Sequence, residues 1–214
     1  MDAKFIDCTL ESFMRRLASS SPVPGGGTSA ALQAALGVSL IIMVTKITAS
    51  KPRYLQQLEE LTYIAGSAEE LQARFLKLAD EDSAAYRKIM AARAALKAAP
   101  DSGNGRAALL REYRAALEPP LKILDAAFEG IKLAGRLAGS YCPSTASDVG
   151  IAARSISGAA AGAELTVLIN LASVEDETLA VKLKKECEER LFAVETMANN
   201  IYLQIRQTLL NEKN

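Results

Sequence analysis

A nearly continuous run of apolar and small residues from Thr28 to Thr48 begins directly after Ser21-Pro-Val-Pro-Gly-Gly-Gly27. A stretch of this length either crosses a bilayer, which takes about 20 apolar residues, or is buried inside a protein. Gln33, Ser39 and Lys46 interrupt it, and no Trp or Tyr belt flanks it. The pattern therefore predicts the buried central helix of a bundle. Glycine lets other groups approach the backbone closely, and a helix start presents unpaired N–H groups and a partial positive charge. The three glycines consequently read either as a tight turn between two helices or as a cradle for an anionic or carbonyl-bearing ligand.

Two familiar glycine loops do not apply. A phosphate-binding Walker loop ends in Gly-Lys-Ser/Thr, whereas Thr28-Ser29 follows here without a lysine. A dinucleotide fingerprint follows a strand, but Thr9 to Leu17 reads as a short helix capped by Thr9.

Half of the 214 residues are hydrophobic and only 5% are aromatic. With so much alanine, this favours helices packed through small side chains over a β-sandwich. The length fits one domain, 1–214. A formal net charge of zero predicts neither a nucleic-acid nor a membrane-surface partner. Cys8, Cys142 and Cys187 are odd in number and lack CxxC spacing, which predicts a reducing cytoplasm and no zinc site. No cleavable signal is expected at the start of the chain. With no histidine at all, a Ser-His-Asp or Cys-His arrangement is impossible. Proton transfer would fall to Asp, Glu, Lys, Tyr or Cys.

Further along, Lys51-Pro52 breaks the chain before a long helical pattern from about Arg53 to Ala98. Residues Pro100 to Gly105 are a loop by composition. A helical segment from Arg106 should be divided by Pro119-Pro120 and resume to Leu137. After a loop from Gly139 to Ser147, a second small-residue helix runs from Ser147 or Asp148 to Leu171. Ser173-Val-Glu-Asp176 resembles a capping box that opens the last helix, to Leu210. No segment reads as a strand. The expectation is all-α, a long-helix up-and-down bundle.

The core stripe of the third helix passes through Phe75; seven residues on lies Asp82, and seven more brings Ile89. A carboxylate on that stripe must be paired, protonated or functional, because burying it ionised without a partner is costly. It is either a structural salt bridge or helix cap, or a general acid/base whose pKa burial raises. Asp80 and Glu81 fall off the stripe and are expected to be solvated. Tyr86, one turn on, either hydrogen-bonds a ligand or simply packs. Ser147 and Asp148 read first as an N-cap and second as a polar point of a site. Asn170 reads as a C-cap or a ligand contact; it would lie about 33 Å from Asp148 on an unbroken helix, so only a symmetric partner could bring those ends together. Lys46 and Lys51 either complement a helix dipole or receive ligand carboxylates.

Four motifs occur in order: Ser-Pro-x-Pro-Gly-Gly-Gly-Thr at 21–28, Asp-Glu-Asp-x-x-Ala-Tyr at 80–86, Ser-Asp-x-x-x-Ala-Ala at 147–153, and Leu-Ile-Asn-Leu at 168–171. Over roughly residues 5 to 210 the chain resembles the cyclodeaminase/cyclohydrolase family, namely the C-terminal domain of formiminotransferase-cyclodeaminase and the free-standing methenyltetrahydrofolate cyclohydrolases, the latter being the closer analogue. The resemblance implies an all-helical homodimer or larger homo-oligomer acting on a tetrahydrofolate one-carbon adduct without metal or other cofactor. It carries over Pro24, Gly25, Gly26 and Gly27 as the ligand-facing loop, Asp82 as the helix carboxylate and Ser147-Asp148 as the second polar point. Family members usually carry asparagine where Cys142 stands here, and often where Ser144 and Thr166 stand. The implied activity is hydrolysis of 5,10-methenyltetrahydrofolate, with Asp82 or Asp148 moving protons. The alternatives are formiminotetrahydrofolate cyclodeamination or folate binding without turnover.

Overall fold

The computed structural model describes residues 4–99 and 103–211. Within them lie seven α-helices and no strand: α1 (Leu10–Leu17), α2 (Gly26–Ala49), α3 (Leu58–Ala98), α4 (Gly103–Ala115), α5 (Glu118–Leu137), α6 (Ala146–Leu171) and α7 (Glu177–Asn211). Short 3-10 turns precede α1, α3 and α6.

The small residues of α2 and α6 determine how the bundle assembles. The two helices run antiparallel, with Ala30 against Gly162, Gln33 against Gly158, and Gly37 against Ile156 and the carbonyl of Ala152. A β-carbon on Gly37 would come within 2.8 Å of Ile156 Cγ1, so only glycine permits this separation. α3 packs on the other flank of α2, α7 on the other flank of α6, and α5 lies against α3, α6 and α7. The core between them holds Val38, Ile41, Phe75, Ile123, Ile131, Ile156 and Val194, each at most 0% exposed. On α7 the buried positions Cys187, Val194, Ala198, Ile201 and Ile205 keep a seven-residue rhythm, the seam of a helix packed along its length.

Local signals behave largely as the sequence suggests. The Thr9 side chain accepts the Ser12 N–H at 3.2 Å and caps α1. Pro119 and Pro120 fall in the first turn of α5, where a missing N–H costs nothing, and they separate it from α4. α2 is long and apolar enough to cross a membrane by composition, yet half of its most apolar window is buried inside the bundle.

Five local expectations need correction. Of the loop expected over 100–105, residues 100–102 lie outside the described residues, and Gly103 to Gly105 open α4; a first turn tolerates poor helix formers because its N–H groups have no intrahelical partner to lose. The loop before α6 ends at Thr145, so Ser147 and Asp148 lie inside the first turn and neither caps it. There Asp148 complements the helix dipole. Asp176, not Ser173, caps α7, accepting the Leu179 N–H at 2.9 Å. Asp80 is not merely solvated: it accepts the Phe5 N–H at 2.8 Å and holds the start of the chain against α3. Finally, Asn170 is not a C-cap, because α6 ends at Leu171 and the Asn170 amide donates sideways to the carbonyl of Ala116 at 3.0 Å.

Candidate active site

The start of α2 meets the middle of α3. Gly25 is the N-cap residue of α2 and has no side chain to offer the helix. The acceptor comes instead from α3. Asp82 Oδ2 receives the Thr28 hydroxyl at 2.9 Å, and the Thr28 backbone N–H also bonds the carboxylate. Gly27 makes this approach possible, since a β-carbon there would lie 2.6 Å from Asp82 Cγ. Gly25 and Gly26 have nothing within 4 Å of the equivalent position, and they face open space instead.

Thr28 is fully buried and Ser83 nearly so, and their hydroxyls stand 2.7 Å apart. Thr28 has a single hydroxyl proton. When it donates to ionised Asp82, the Ser83 hydroxyl must donate to Thr28. When Asp82 is protonated on Oδ2, both hydroxyls can rotate and the chain runs the other way. Asp82 thus keeps its hydrogen bonds in either protonation state. Burial raises its pKa above the ordinary carboxylate value, with the Thr28 side-chain and backbone hydrogen bonds pulling the other way. Among the described residues no cation pairs with it. Asp82 thus bonds the start of α2 and also lines a cavity.

That cavity, of about 610 Å³, is lined by Gly25, Gly26, Gly27, Asp82, Tyr86 and Asn170 among others. α2 contributes the glycine loop, α3 supplies Asp82, Ala85, Tyr86, Ile89 and Arg93, and α6 supplies Gly162, Leu165, Thr166, Ile169 and Asn170. Pro24 is buried behind the loop, and its neighbours Pro22 and Val23 line the cavity. Asn170 is fixed by the Ala116 carbonyl, and Thr166 donates back to the Gly162 carbonyl at 2.8 Å.

Four proposed site residues lie elsewhere in the chain. Lys46, exposed, pairs with Glu69 at 2.7 Å, and Lys51 is exposed beyond the other end of α2. Ser147 lines a separate groove of about 670 Å³ with Arg154 and Tyr202. Asp148 sits one residue on, at the far end of an unbroken α6 from Asn170. Cys142 and Ser144 are also at that far end, where the Cys142 N–H bonds Thr48. Of the three positions where the family carries asparagine, only Thr166 faces the Asp82 cavity.

Arg93 and Tyr113 escaped the sequence reading. Arg93 lies eleven residues after Asp82, seven after Tyr86 and four after Ile89, on the same helical face. That spacing was the available signal. Nothing local marks Tyr113, which reaches the cavity only because α4 folds back on α3.

A profile of the formiminotransferase-cyclodeaminase family matches residues 9–189. The chain is 30% identical over 195 residues to the methenyltetrahydrofolate cyclohydrolase of Methylorubrum extorquens, covering 91% of this chain and 94% of that protein. It is 27% identical over 198 residues to the formimidoyltransferase-cyclodeaminase of Rattus norvegicus, but spans only 37% of that longer protein. Its fold superposes on the crystal structure of formiminotetrahydrofolate cyclodeaminase from Thermotoga maritima with a TM-score of 0.79 and 25% identity, covering 98% of this chain and 99% of that one.

Proposed function

Because the chain belongs to the formiminotransferase-cyclodeaminase family, we propose that it hydrolyses 5,10-methenyltetrahydrofolate to 10-formyltetrahydrofolate with Asp82 as the proton-transferring group. The observation that carries the choice of reaction is the end-to-end match to a cyclohydrolase, which covers 94% of that protein.

The chemistry fits the site. The bridging carbon of the substrate is an amidinium flanked by N5 and N10. Water adds to it, and Asp82 takes one water proton, leaving a neutral tetrahedral adduct. Asp82 then gives that proton to N5, the carbon–N5 bond breaks, and the hydroxyl loses its proton as the formyl C=O forms on N10. One proton is released overall. The acid and the base are thus one carboxylate, and its raised pKa brings it nearer to working pH. Burial in an apolar-walled cavity strengthens its attraction for the cationic carbon. The glycine-loop N–H groups offer polar points to orient the pterin. No step requires a metal or an organic cofactor.

The cyclodeaminase reaction is the second reading, favoured by the superposition on the Thermotoga maritima enzyme. It too passes through a tetrahedral carbon between nitrogens, with ammonia as the group protonated. Folate binding without turnover is the third.

We also read the chain as a homo-oligomer. The outward faces of α2 and α6 carry Leu36 and Ile151, each more than half exposed, which a second copy would cover. The three free cysteines fit a cytoplasmic home.

The test is the loss of near-ultraviolet absorbance of 5,10-methenyltetrahydrofolate on adding protein, corrected for spontaneous hydrolysis. Acceleration that Asp82→Asn removes supports the reading. No acceleration, with ammonia released from 5-formiminotetrahydrofolate, replaces it by the second reading. Tight folate binding without either reaction replaces it by the third.

A further inference from the structure

We propose that Arg93 receives the glutamate carboxylate of the folate and so fixes which way round the substrate lies, an inference that rests on the folate reading above. Of the residues that line the cavity, one is acidic and one is basic, Asp82 and Arg93, and both are on the same face of α3. Eleven residues separate them, about 16 Å of helix. Helical side chains lean toward the N-terminus of their helix, so Arg93 leans back along the cavity toward Asp82. Between the two lie Ala85, Tyr86 and Ile89, and α6 lines the same cavity with Leu165, Thr166 and Ile169. The cavity therefore has an acidic end, a mostly apolar middle and a cationic end.

The guanidinium is held in place. It lies 5.4 Å over the ring of Tyr113 and donates to the Tyr113 hydroxyl. Tyr113 is buried on α4. These contacts use one face and one donor, leaving further N–H groups of the five available. Among the described residues no carboxylate pairs with Arg93, whereas Arg74, Arg114 and Arg136 close on Glu129, Asp176 and Glu60. Arg93 is a positioned cation without a counter-charge inside the candidate site.

The substrate presents the matching order. It has a cationic amidinium, then a para-aminobenzoyl ring, then a glutamate bearing carboxylates. Placed with the amidinium at Asp82, its ring lies along the apolar middle and its carboxylate reaches the Arg93 fork, a geometry suited to bidentate pairing. The reversed pose sets amidinium against guanidinium and carboxylate against carboxylate, so charge alone discriminates between the two. The carboxylate is far from the reacting carbon and binds equally in ground and transition states. Its loss therefore raises KM and leaves kcat nearly unchanged.

The test compares wild type, Arg93→Met and Arg93→Lys on 5,10-methenyltetrahydrofolate and on a carboxylate-free counterpart in which a simple amide on the benzoyl ring replaces the glutamate. We expect Arg93→Met to raise KM about tenfold or more on the first substrate with kcat within about threefold, and to change neither on the second, which also shows that the variant folds. Arg93→Lys should fall between. An equal KM rise on both substrates, or no rise on either, overturns the assignment of Arg93 and leaves the cyclohydrolase reading standing. Wild-type protein that turns over neither substrate overturns that reading, and the Arg93 assignment falls with it.

Discussion

The carboxylate of Asp82 occupies the space that a side chain on residue 27 would need, with Asp82 Cγ 2.6 Å from where a β-carbon of Gly27 would stand. None of the glycines among the described residues has a positive φ, so Gly27 is required for close approach and not for an unusual backbone angle. The three consecutive glycines are therefore unequal. Gly27 admits the carboxylate, while Gly25 and Gly26 leave their backbone bare toward the cavity.

Gly27→Ala should displace Asp82, destabilise the protein by about 1–3 kcal/mol as an overpacked contact, and cut turnover about 100-fold through misplacement of the carboxylate. Gly26→Ala meets nothing within 4 Å and should be neutral or stabilising by up to about 1 kcal/mol. Chemical denaturation of the pair checks this, and equal effects at the two positions would remove the steric account.

Asp82→Asn should lower kcat by at least about 100-fold, the scale of a lost general acid/base. Asp148→Asn should keep kcat within a few-fold of wild type, since nothing in one copy of the chain brings Asp148 to the cavity. Steady-state kinetics of both variants decide it. A collapse of turnover in Asp148→Asn would place the start of a partner's α6 at the site.

The raised pKa of Asp82 also predicts a pH dependence of stability. The native protein holds a proton over a range where the unfolded chain, with an ordinary value of 3.8, has lost it. The contribution of Asp82 to stability is thus fully present below the unfolded value and is lost as pH rises through the native pKa. Asparagine does not titrate. The stability of Asp82→Asn relative to wild type should therefore rise between pH 4 and pH 7, by about 1.4 kcal/mol for each unit of elevation. Thermal unfolding across that range tests it, and a constant difference would count against burial as the dominant influence on this carboxylate.

Gly37 and Gly66 offer a test of the packing. Gly37→Ala pushes a methyl to 2.8 Å from Ile156 Cγ1 and 3.0 Å from the Ala152 carbonyl, and should cost about 1–3 kcal/mol. Gly66→Ala on α3 meets nothing within 4 Å and should add up to about 1 kcal/mol. Melting temperatures of the two variants should move in opposite directions.

Periodicity and punctuation made much of the fold legible in the sequence. Thr9, the glycine turn, the two small-residue helices and the proline pair each act locally, so they can be read without knowing what packs where. Asp82 was legible for the same reason, because the seven-residue step from Phe75 to Ile89 passes through it. What the sequence did not reveal depends on distant chain segments. The cap of α2 comes from a residue 54 positions away, the partner of Asp80 from one 75 away, and the anchor of Arg93 from α4. Ser147-Asp148 looked like a cap because Ser and Asp favour that position, but the Pro143–Thr145 turn starts the helix ahead of them.

The two rotatable hydroxyls behind Asp82 have a last consequence. Moving a proton on or off this carboxylate reorients Thr28 and Ser83 but displaces no heavy atom that shapes the cavity. If Asp82 moves the proton as proposed, the substrate and the product of one reaction meet the same walls. By microscopic reversibility the ring could be closed as well as opened here, with the direction decided by the concentrations of the two folates and the acidity of the medium.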